Sequence, residues 1–150
     1  DICKADNQKI AFTLSDLFCV DRHSDSFKEL ITENVDILFA NEDEIKAMAQ
    51  TESFEEGLEY AKSLNIIAAI TKGSSGSVIV SGNDITEVAA KKVEKVVDTT
   101  GAGDLFAAGF LFGYSKGKAM DECGNYASIA AAEIISHYGA RPLVKLSSLI

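Results

Sequence analysis

Eight consecutive residues in the second half of the chain, Val97–Asp104, have types and spacing that could handle a phosphate group. They predict an extended segment, a glycine turn, and a helix that continues into the apolar stretch after Leu105. A helix N-terminus has unpaired backbone amides and partial positive charge, and glycine there lets an anion approach closely. Asp104 would repel a bound phosphate unless it took a proton from an attacking hydroxyl. The run therefore indicates phosphoryl transfer to an alcohol.

Two familiar nucleotide motifs do not fit this glycine turn. A dinucleotide fingerprint needs a glycine three residues after the second one, and Phe106 occupies that position. A Walker loop needs Lys followed by Ser or Thr, where this chain has Asp104 and Leu105. The alternative that stays open is a glycine-rich strand-to-helix turn in which Asp104 merely stabilises the start of the helix.

Composition limits the class of protein. A chain of 150 residues with 47% apolar residues has the size of one domain with a real core. A net charge of −9 argues against binding to nucleic acid, which depends on clustered Lys and Arg. Three scattered cysteines favour a reducing compartment, and the longest apolar runs are shorter than the roughly 18 residues that a membrane span needs. We expect a cytoplasmic protein without a membrane or nucleic-acid partner.

The hydrophobic pattern alternates between strands and helices. Strands are predicted over 9–14, 35–40, 66–71 and 77–80, with an extended segment over 85–97. Helices are predicted over 24–33, 41–50, 53–64, 102–115 and 119–138, the last one ended by Gly139 as a left-handed cap. This order predicts an α/β layer sandwich with a mainly parallel sheet. Asn41, Thr71 and Gly101 all follow predicted strands, so we expect their loops to converge at one sheet edge.

Three motifs, in this order, resemble one enzyme family. They are Asn41-Glu42-Asp43-Glu44 as an Asn-x-x-Glu element, Thr71–Gly76 as a Thr-x-Gly-x-x-Gly loop, and Asp98–Asp104 continued by Phe106 and Ala108-Gly109-Phe110. The set resembles the C-terminal half of the PfkB-family carbohydrate and nucleoside kinases, which include ribokinase and adenosine kinase. The resemblance implies a ribokinase-like three-layer α/β/α sandwich, with residues 1–150 as a single ATP-binding and catalytic domain. The family's N-terminal half and its lid are expected to be missing, and the chain starts at Asp1 rather than Met.

The resemblance also implies catalytic roles around the glycine turn. Asp104 becomes the general base that deprotonates the acceptor hydroxyl. The backbone amides of Gly101, Ala102 and Gly103 become the donors that stabilise charge on the transferring phosphoryl group.

Metal binding is implied at two places. Similarity to the family suggests that Glu44 helps to hold Mg²⁺ through water, with Asn41 one helical turn away. The alternatives are an exposed helical acid for Glu44 and a helix N-cap for Asn41, and the N-cap can coexist with a role in binding. Some relatives bind a monovalent cation beneath the anion hole, so Asp98 and Thr100 are candidate neighbours of K⁺.

ATP is the nucleotide that the resemblance implies. Its expected contacts are Asn41, Thr71, Lys72, Gly73, Ser74, Ser75, Gly76, Gly103 and Ser128. Without the other motifs, the segment from Thr71 to Gly76 reads equally well as a Gly/Ser turn. Ser128 stands where the family often has an adenine-contacting Asn or His, and nearby Asn125 is a second candidate for that contact.

The favoured function is ATP-dependent phosphoryl transfer to a primary hydroxyl of a nucleoside or sugar. Residues 14–19 and 35–41 look more like the adenosine-kinase branch than like ribokinase, which makes adenosine the leading substrate. The alternatives are a ribokinase-like or fructokinase-like sugar kinase, and a truncated nucleotide-binding module without turnover of its own. A homodimer of the full-length protein is compatible with the resemblance.

Overall fold

Short apolar runs form the sheet at the centre of the structure. The computed structural model describes Asp6 and residues 8–149, and in this part five strands lie in the order β1-β2-β3-β4-β5. They are β1 Ala11–Thr13, β2 Ile37–Asn41, β3 Ile67–Thr71, β4 Ser77–Ser81 and β5 Asp84–Val88. The pairs β1–β2 and β2–β3 are parallel. The links over 72–76 and 82–83 are much shorter than the roughly dozen residues of a parallel crossover, so β4 and β5 each reverse direction.

Five α-helices follow the strands in the order expected of an α/β protein. Within the described residues they are α1 Leu17–Asn34, α2 Glu42–Ala49, α3 Phe54–Ser63, α4 Ala102–Ser115 and α5 Met120–Ile135. The predicted α/β class with a mainly parallel sheet is confirmed. No helix in the described part of the chain is long and apolar enough to cross a membrane.

Helix α1 starts at Leu17, so the predicted start at Ser24 was wrong. The Asp16 carboxylate accepts a hydrogen bond from the Cys19 amide at 2.8 Å and caps the helix there. His23 has non-helical backbone angles and interrupts the helix just before the predicted boundary. The apolar spacing on which the prediction relied begins only after this interruption.

Two other elements are shorter than the sequence predicts. Helix α5 ends at Ile135 rather than Tyr138, and the Ser136 hydroxyl donates to the Glu133 carbonyl at 2.6 Å at its end. Gly139 does adopt a left-handed conformation, with φ of +95°, but it lies beyond the helix end. Of the segment over 85–97 that the sequence predicts to be extended, only the part to Val88 lies in a strand. Beyond it, the Lys91 amide donates to the Ser128 hydroxyl at 2.7 Å.

The chain divides into two compact units. The first comprises Asp1–Lys72 and Val78–Ile85, and the second comprises Gly73–Ser77 and Thr86–Ile150. In the first, buried residues of β2 and β3 pack with α1, α2 and α3 in one hydrophobic core. The second is built on α4 and α5. The expectation of a single domain over 1–150 stays a prediction.

Helices α4 and α5 approach each other closely at two glycines. A Cβ on Gly109 would lie 2.6 Å from the Tyr126 carbonyl oxygen and 2.8 Å from the Ala127 Cα. A Cβ on Gly113, one turn later, would lie 3.1 Å from the Cys123 Cα. These distances leave no room for a side chain at Gly109. Because Gly109 and Gly113 have no side chains, the two helices can pack at this short distance.

The first prediction compares two glycines of helix α4. Gly109→Ala should lower the free energy of unfolding by about 1–3 kcal/mol, because the methyl group forces α5 away. Gly103→Ala should leave it unchanged or raise it by up to about 1 kcal/mol, since no atom of a neighbouring element lies within 4 Å of the Cβ position. Urea unfolding of both variants measures the difference. Equal midpoints would show that the close approach does not constrain the fold.

Candidate active site

The glycine turn before α4 is held in a conformation that suits glycine alone. Gly101 has φ of +80° and forms the N-cap of the helix. The Ala102 amide donates to the Thr99 carbonyl at 3.1 Å, and the Leu105 amide donates to the Gly101 carbonyl at 2.9 Å. A Cβ on Gly101 would lie 3.2 Å from the Ala140 Cβ. Left-handed backbone and close packing together strongly favour glycine at this position.

The first turn of α4 presents unpaired backbone amides. Within residues 8–149, the amides of Gly103 and Asp104 have no hydrogen-bond acceptor. No atom of a neighbouring element lies within 4 Å of the position that a Gly103 Cβ would take. Unpaired amides beside open space at a helix N-terminus are the arrangement that binds anions. This turn can therefore receive a phosphate group.

The Asp104 carboxylate is exposed and has no hydrogen-bond or ion-pair partner in the described part of the chain. An acid that capped α4 would bond to an amide of the first helical turn. Asp104 makes no such bond, but its charge in the first helical turn can still stabilise the helix N-terminus, so that alternative stays open beside the role as base. Its carboxylate is available to accept a proton beside the open amides.

Asp98 has the opposite environment and braces the turn. Its Oδ1 accepts hydrogen bonds from the Thr100 amide at 2.9 Å and the Thr100 hydroxyl at 2.7 Å. Its Oδ2 accepts from the Gly139 amide at 3.1 Å. The hydrogen bonds from Thr100, then that from Gly139, lower the pKa of Asp98, so it stays ionised at neutral pH. Binding of K⁺ near Asp98 and Thr100 stays a prediction.

In the first unit, two predicted site residues end neighbouring strands. Asn41 is the last residue of β2, Thr71 is the last residue of β3, and the two are partners in the parallel register. Their loops therefore leave the sheet at the same edge, as the sequence predicts for these two. The Asn41 side chain accepts from the Glu44 amide at 2.8 Å, which confirms Asn41 as the N-cap of α2.

Glu44 is buried, with 5% of its surface exposed, and this excludes the alternative of an exposed helical acid. Its two carboxylate oxygens accept from the Asn41 amide and the Asn41 Nδ2, each at 2.8 Å. Burial raises the pKa of Glu44, the hydrogen bond from Asn41 opposes this, and the charges of Asp16 and Asp43 raise it further. Each oxygen keeps a lone pair that can accept from a water molecule.

This donor set fits a hydrated Mg²⁺, which keeps most of its waters and takes one or two carboxylates from the protein. The part of the chain described by the structure holds no group of three or more His, Cys, Asp or Glu side chains around a common point. The role of Glu44 in metal binding stays a prediction.

In the loop after β3, Lys72 packs on an aromatic ring, Gly73–Ser75 form an exposed turn, and Gly76 is buried. The Lys72 ammonium lies 4.5 Å from the centre of the Phe54 ring, a cation–π contact. Gly73–Ser75 form a 3₁₀ turn, closed by the Gly76 amide donating to the Gly73 carbonyl at 3.2 Å. Ser74 and Ser75 are exposed. A Cβ on Gly76, which has φ of +96°, would lie 2.1 Å from the Val88 carbonyl oxygen, so Gly76 is required for packing.

Ser128 is bonded to the protein itself. Its hydroxyl accepts from the Lys91 amide at 2.7 Å and donates to the Ala89 carbonyl at 3.3 Å. The side chain is 9% exposed and anchors residues 89–91 to α5. A contact from Ser128 to the nucleotide stays a prediction. Asn125, the second candidate, is exposed on α5.

Glu133 is a residue of this region that the sequence analysis missed. Its side chain is 10% exposed, and its Oε1 accepts from the Leu143 amide at 2.8 Å. The signal that could have revealed it is a single charge inside the apolar run 129–135.

Comparison with known proteins shows the family of this chain. Residues 2–146 match the family model described as pfkB family carbohydrate kinase. The crystal structure of adenosine kinase from Sinorhizobium meliloti is 46% identical with a TM-score of 0.96, covering 99% of this chain and 46% of that chain. A probable sugar kinase from Rhizobium etli is 42% identical with a TM-score of 0.96, covering 99% of this chain and 45% of that chain.

A curated relative gives the same picture. An uncharacterized sugar kinase from Archaeoglobus fulgidus is 45% identical over 115 residues, which cover 75% of this chain and 45% of that protein. The chain thus spans less than half the length of these relatives. The match over 2–146 confirms the resemblance drawn from the three motifs, and the chain belongs to the pfkB family of carbohydrate kinases.

Proposed function

We propose that this chain is the ATP-binding and catalytic portion of a kinase that transfers the γ-phosphoryl group of ATP to a primary hydroxyl of a nucleoside or sugar. The observation that carries the proposal is the first turn of α4. It combines the unpaired amides of Gly103 and Asp104 with an exposed carboxylate that has no partner in the described residues. An anion site with a free base beside it suits attack by an alcohol on a phosphate.

Asp104 takes the proton of the acceptor hydroxyl as that oxygen attacks the γ-phosphorus atom, whose bond to the β–γ bridging oxygen breaks so that ADP leaves. The amides of Gly101 and Gly103 stabilise the negative charge on the transferring group, whereas the Ala102 amide, which the resemblance also implied as a donor, is already bonded to the Thr99 carbonyl and holds the turn. One such donor, aimed at developing charge in a site without water, contributes about 10²–10³ to kcat. The rigid turn matters because the donors need no rearrangement during the reaction.

Glu44 is the proposed contact for Mg²⁺, through a water molecule that its carboxylate binds. When bound, Mg²⁺ neutralises charge on the ATP phosphates and helps to orient them. Burial of Glu44 and its double hydrogen bond to Asn41 hold the carboxylate in one orientation. Thr71 and the exposed Ser74 and Ser75 are the proposed contacts to the nucleotide, with Lys72 adding positive charge near them.

Adenosine is the leading acceptor, supported by the similarity to the adenosine kinase of Sinorhizobium meliloti. A sugar is the second candidate, because the relatives from Rhizobium etli and Archaeoglobus fulgidus are described as sugar kinases. A nucleotide-binding module without turnover is the third, since the chain covers less than half of these proteins. A panel of nucleosides and sugars, assayed with ATP on the full-length protein, separates the three. Binding of an ATP analogue without any turnover would favour the module.

Replacing the proposed base tests the chemistry directly. Asp104→Asn in the full-length protein should lower kcat by about 10²–10⁴, because general-base catalysis contributes that much. The affinity for an ATP analogue should stay within about twofold, since the amides of the turn remain in place. Steady-state kinetics and calorimetric titration measure the two quantities.

A matched control exists on the neighbouring helix. Asp121 is also an exposed acid in the first turn of its helix, α5. Asp121→Asn should leave kcat unchanged. Turnover in Asp104→Asn at the rate of this control would refute the role of Asp104 as base.

The open space at Gly103 provides a second test. In Gly103→Ala the fold accommodates the methyl group, but that group occupies the region where the phosphate would approach the amides. We expect kcat to fall by about 10²-fold with an unfolding midpoint that is unchanged or slightly raised. Unimpaired kinetics in a stable Gly103→Ala protein would mean that no phosphate binds at this turn.

The proposed metal contact predicts a shift in the requirement for Mg²⁺. Glu44→Gln should raise the Mg²⁺ concentration for half-maximal activity by about tenfold, because the negative charge that orders the hydrated ion is lost. Asp43→Asn is the control, since Asp43 is an exposed neighbour paired with Lys46. Mg²⁺ titrations of kcat compare the variants. An equal shift in both would assign the effect to general charge on α2.

A further inference from the structure

Glu133 occupies a place near the end of α5 where packing alone would favour an apolar residue. Its neighbours in the run 129–135 are otherwise apolar, and its side chain is 10% exposed. The Oε2 atom is buried and has no hydrogen-bond partner in the described part of the protein. A buried carboxylate oxygen without a partner costs stability. The contacts of the other oxygen, Oε1, must offset this cost.

That other oxygen, Oε1, holds the segment that follows α5. It accepts from the Leu143 amide at 2.8 Å, ten residues further along the chain. It also lies 3.1 Å from the His137 Nε2, and the Nδ1 of the same ring lies 3.2 Å from the Tyr138 carbonyl oxygen. One carboxylate oxygen thus fixes both ends of the segment 137–143.

The middle of this segment touches the glycine turn. The Gly139 amide donates to the Asp98 Oδ2 at 3.1 Å. The Ala140 Cα and Cβ lie 3.3 and 3.2 Å from the position that a Gly101 Cβ would take. The segment that Glu133 holds at His137 and Leu143 therefore packs against the N-cap of α4 through Ala140.

A further bond ties the approach to the turn to the same helix end. The Val97 amide donates to the Ile135 carbonyl at 2.8 Å. The end of α5 thus holds two segments in place: Val97, which leads into the turn, and segment 137–143, which packs on Gly101. A change in the position of segment 137–143 would disturb the turn, because Gly139 is bonded to Asp98 and Ala140 is packed against Gly101.

We propose that Glu133 is a positioning residue for phosphoryl transfer: it fixes segment 137–143, which sets the conformation of Gly101 and hence the direction of the amides of α4. This inference rests on the proposed function of that turn. The partners of Glu133 are His137 and the Leu143 amide, so its proposed role is indirect. It acts through Gly139 and Ala140.

The test uses Glu133→Ala in the full-length protein, with Glu122→Ala as the matched control. Glu122 lies on the same helix and pairs with Lys118, away from segment 137–143. We expect the ¹⁵N–¹H resonances of Gly101 and Gly103 to shift in Glu133→Ala and to stay in place in the control. We also expect kcat to fall by about tenfold or more, with an unchanged KM for the acceptor, because misdirected amides lose transition-state stabilisation.

Glu133→Gln keeps the proposal testable if Glu133→Ala does not fold. Its amide oxygen can still accept from the Leu143 amide, so resonances and kcat should return most of the way to wild type. Unmoved Gly101 and Gly103 resonances, or a kcat equal to that of the control, would overturn the proposal. The resonance measurement needs no turnover. If the wild-type protein lacks kinase activity while the resonances still shift, the proposed function fails and the coupling stands.

Discussion

The close approach of α4 and α5 at Gly109 is the constraint on which the second unit depends. A backbone carbonyl and a Cα of α5 occupy the place where a side chain would stand. Because the helices are rigid, this contact fixes the start of α4 relative to the end of α5. The hydrogen bond from the Gly139 amide to Asp98 and the packing of Ala140 on Gly101 can then form. The conformation of the glycine turn, at which we propose that phosphate binds, depends on that packing.

Three carboxylates show how environment assigns different roles to similar side chains. Asp98 accepts three hydrogen bonds, which lower its pKa and make it a brace. Glu44 is buried against Asn41, and burial raises its pKa, while its remaining lone pairs face no protein donor that the structure describes. Asp104 is exposed without a partner in the described residues. The exposure of Asp104 and its lack of a bonding partner agree with its proposed role as base.

Much of the site was predictable because its chemistry is local. Helix α4 has the predicted bounds 102–115, and Asn41 caps α2 as expected, since both depend on residues within one or two turns. The start of α1 was missed because the kink at His23 hides the first turns from an apolar pattern. Glu133 was missed because its partner, the Leu143 amide, belongs to a segment without regular structure. Every residue except proline has a backbone amide, so the residue types of an irregular segment do not show which amide will bond to a distant side chain.

The sequence by itself determined the order of the strand-end motifs, the glycine turn, the acid that follows it and the membership of the family. These properties depend on residues that are neighbours along the chain, where backbone preferences and capping act over a few positions. The tertiary structure decided that Asp98 braces rather than reacts, through an amide 41 residues away, and that Ser128 holds Lys91, 37 residues away. It also decided that Glu44 is buried. Such roles arise only when folding brings distant groups within hydrogen-bond distance and excludes water from them.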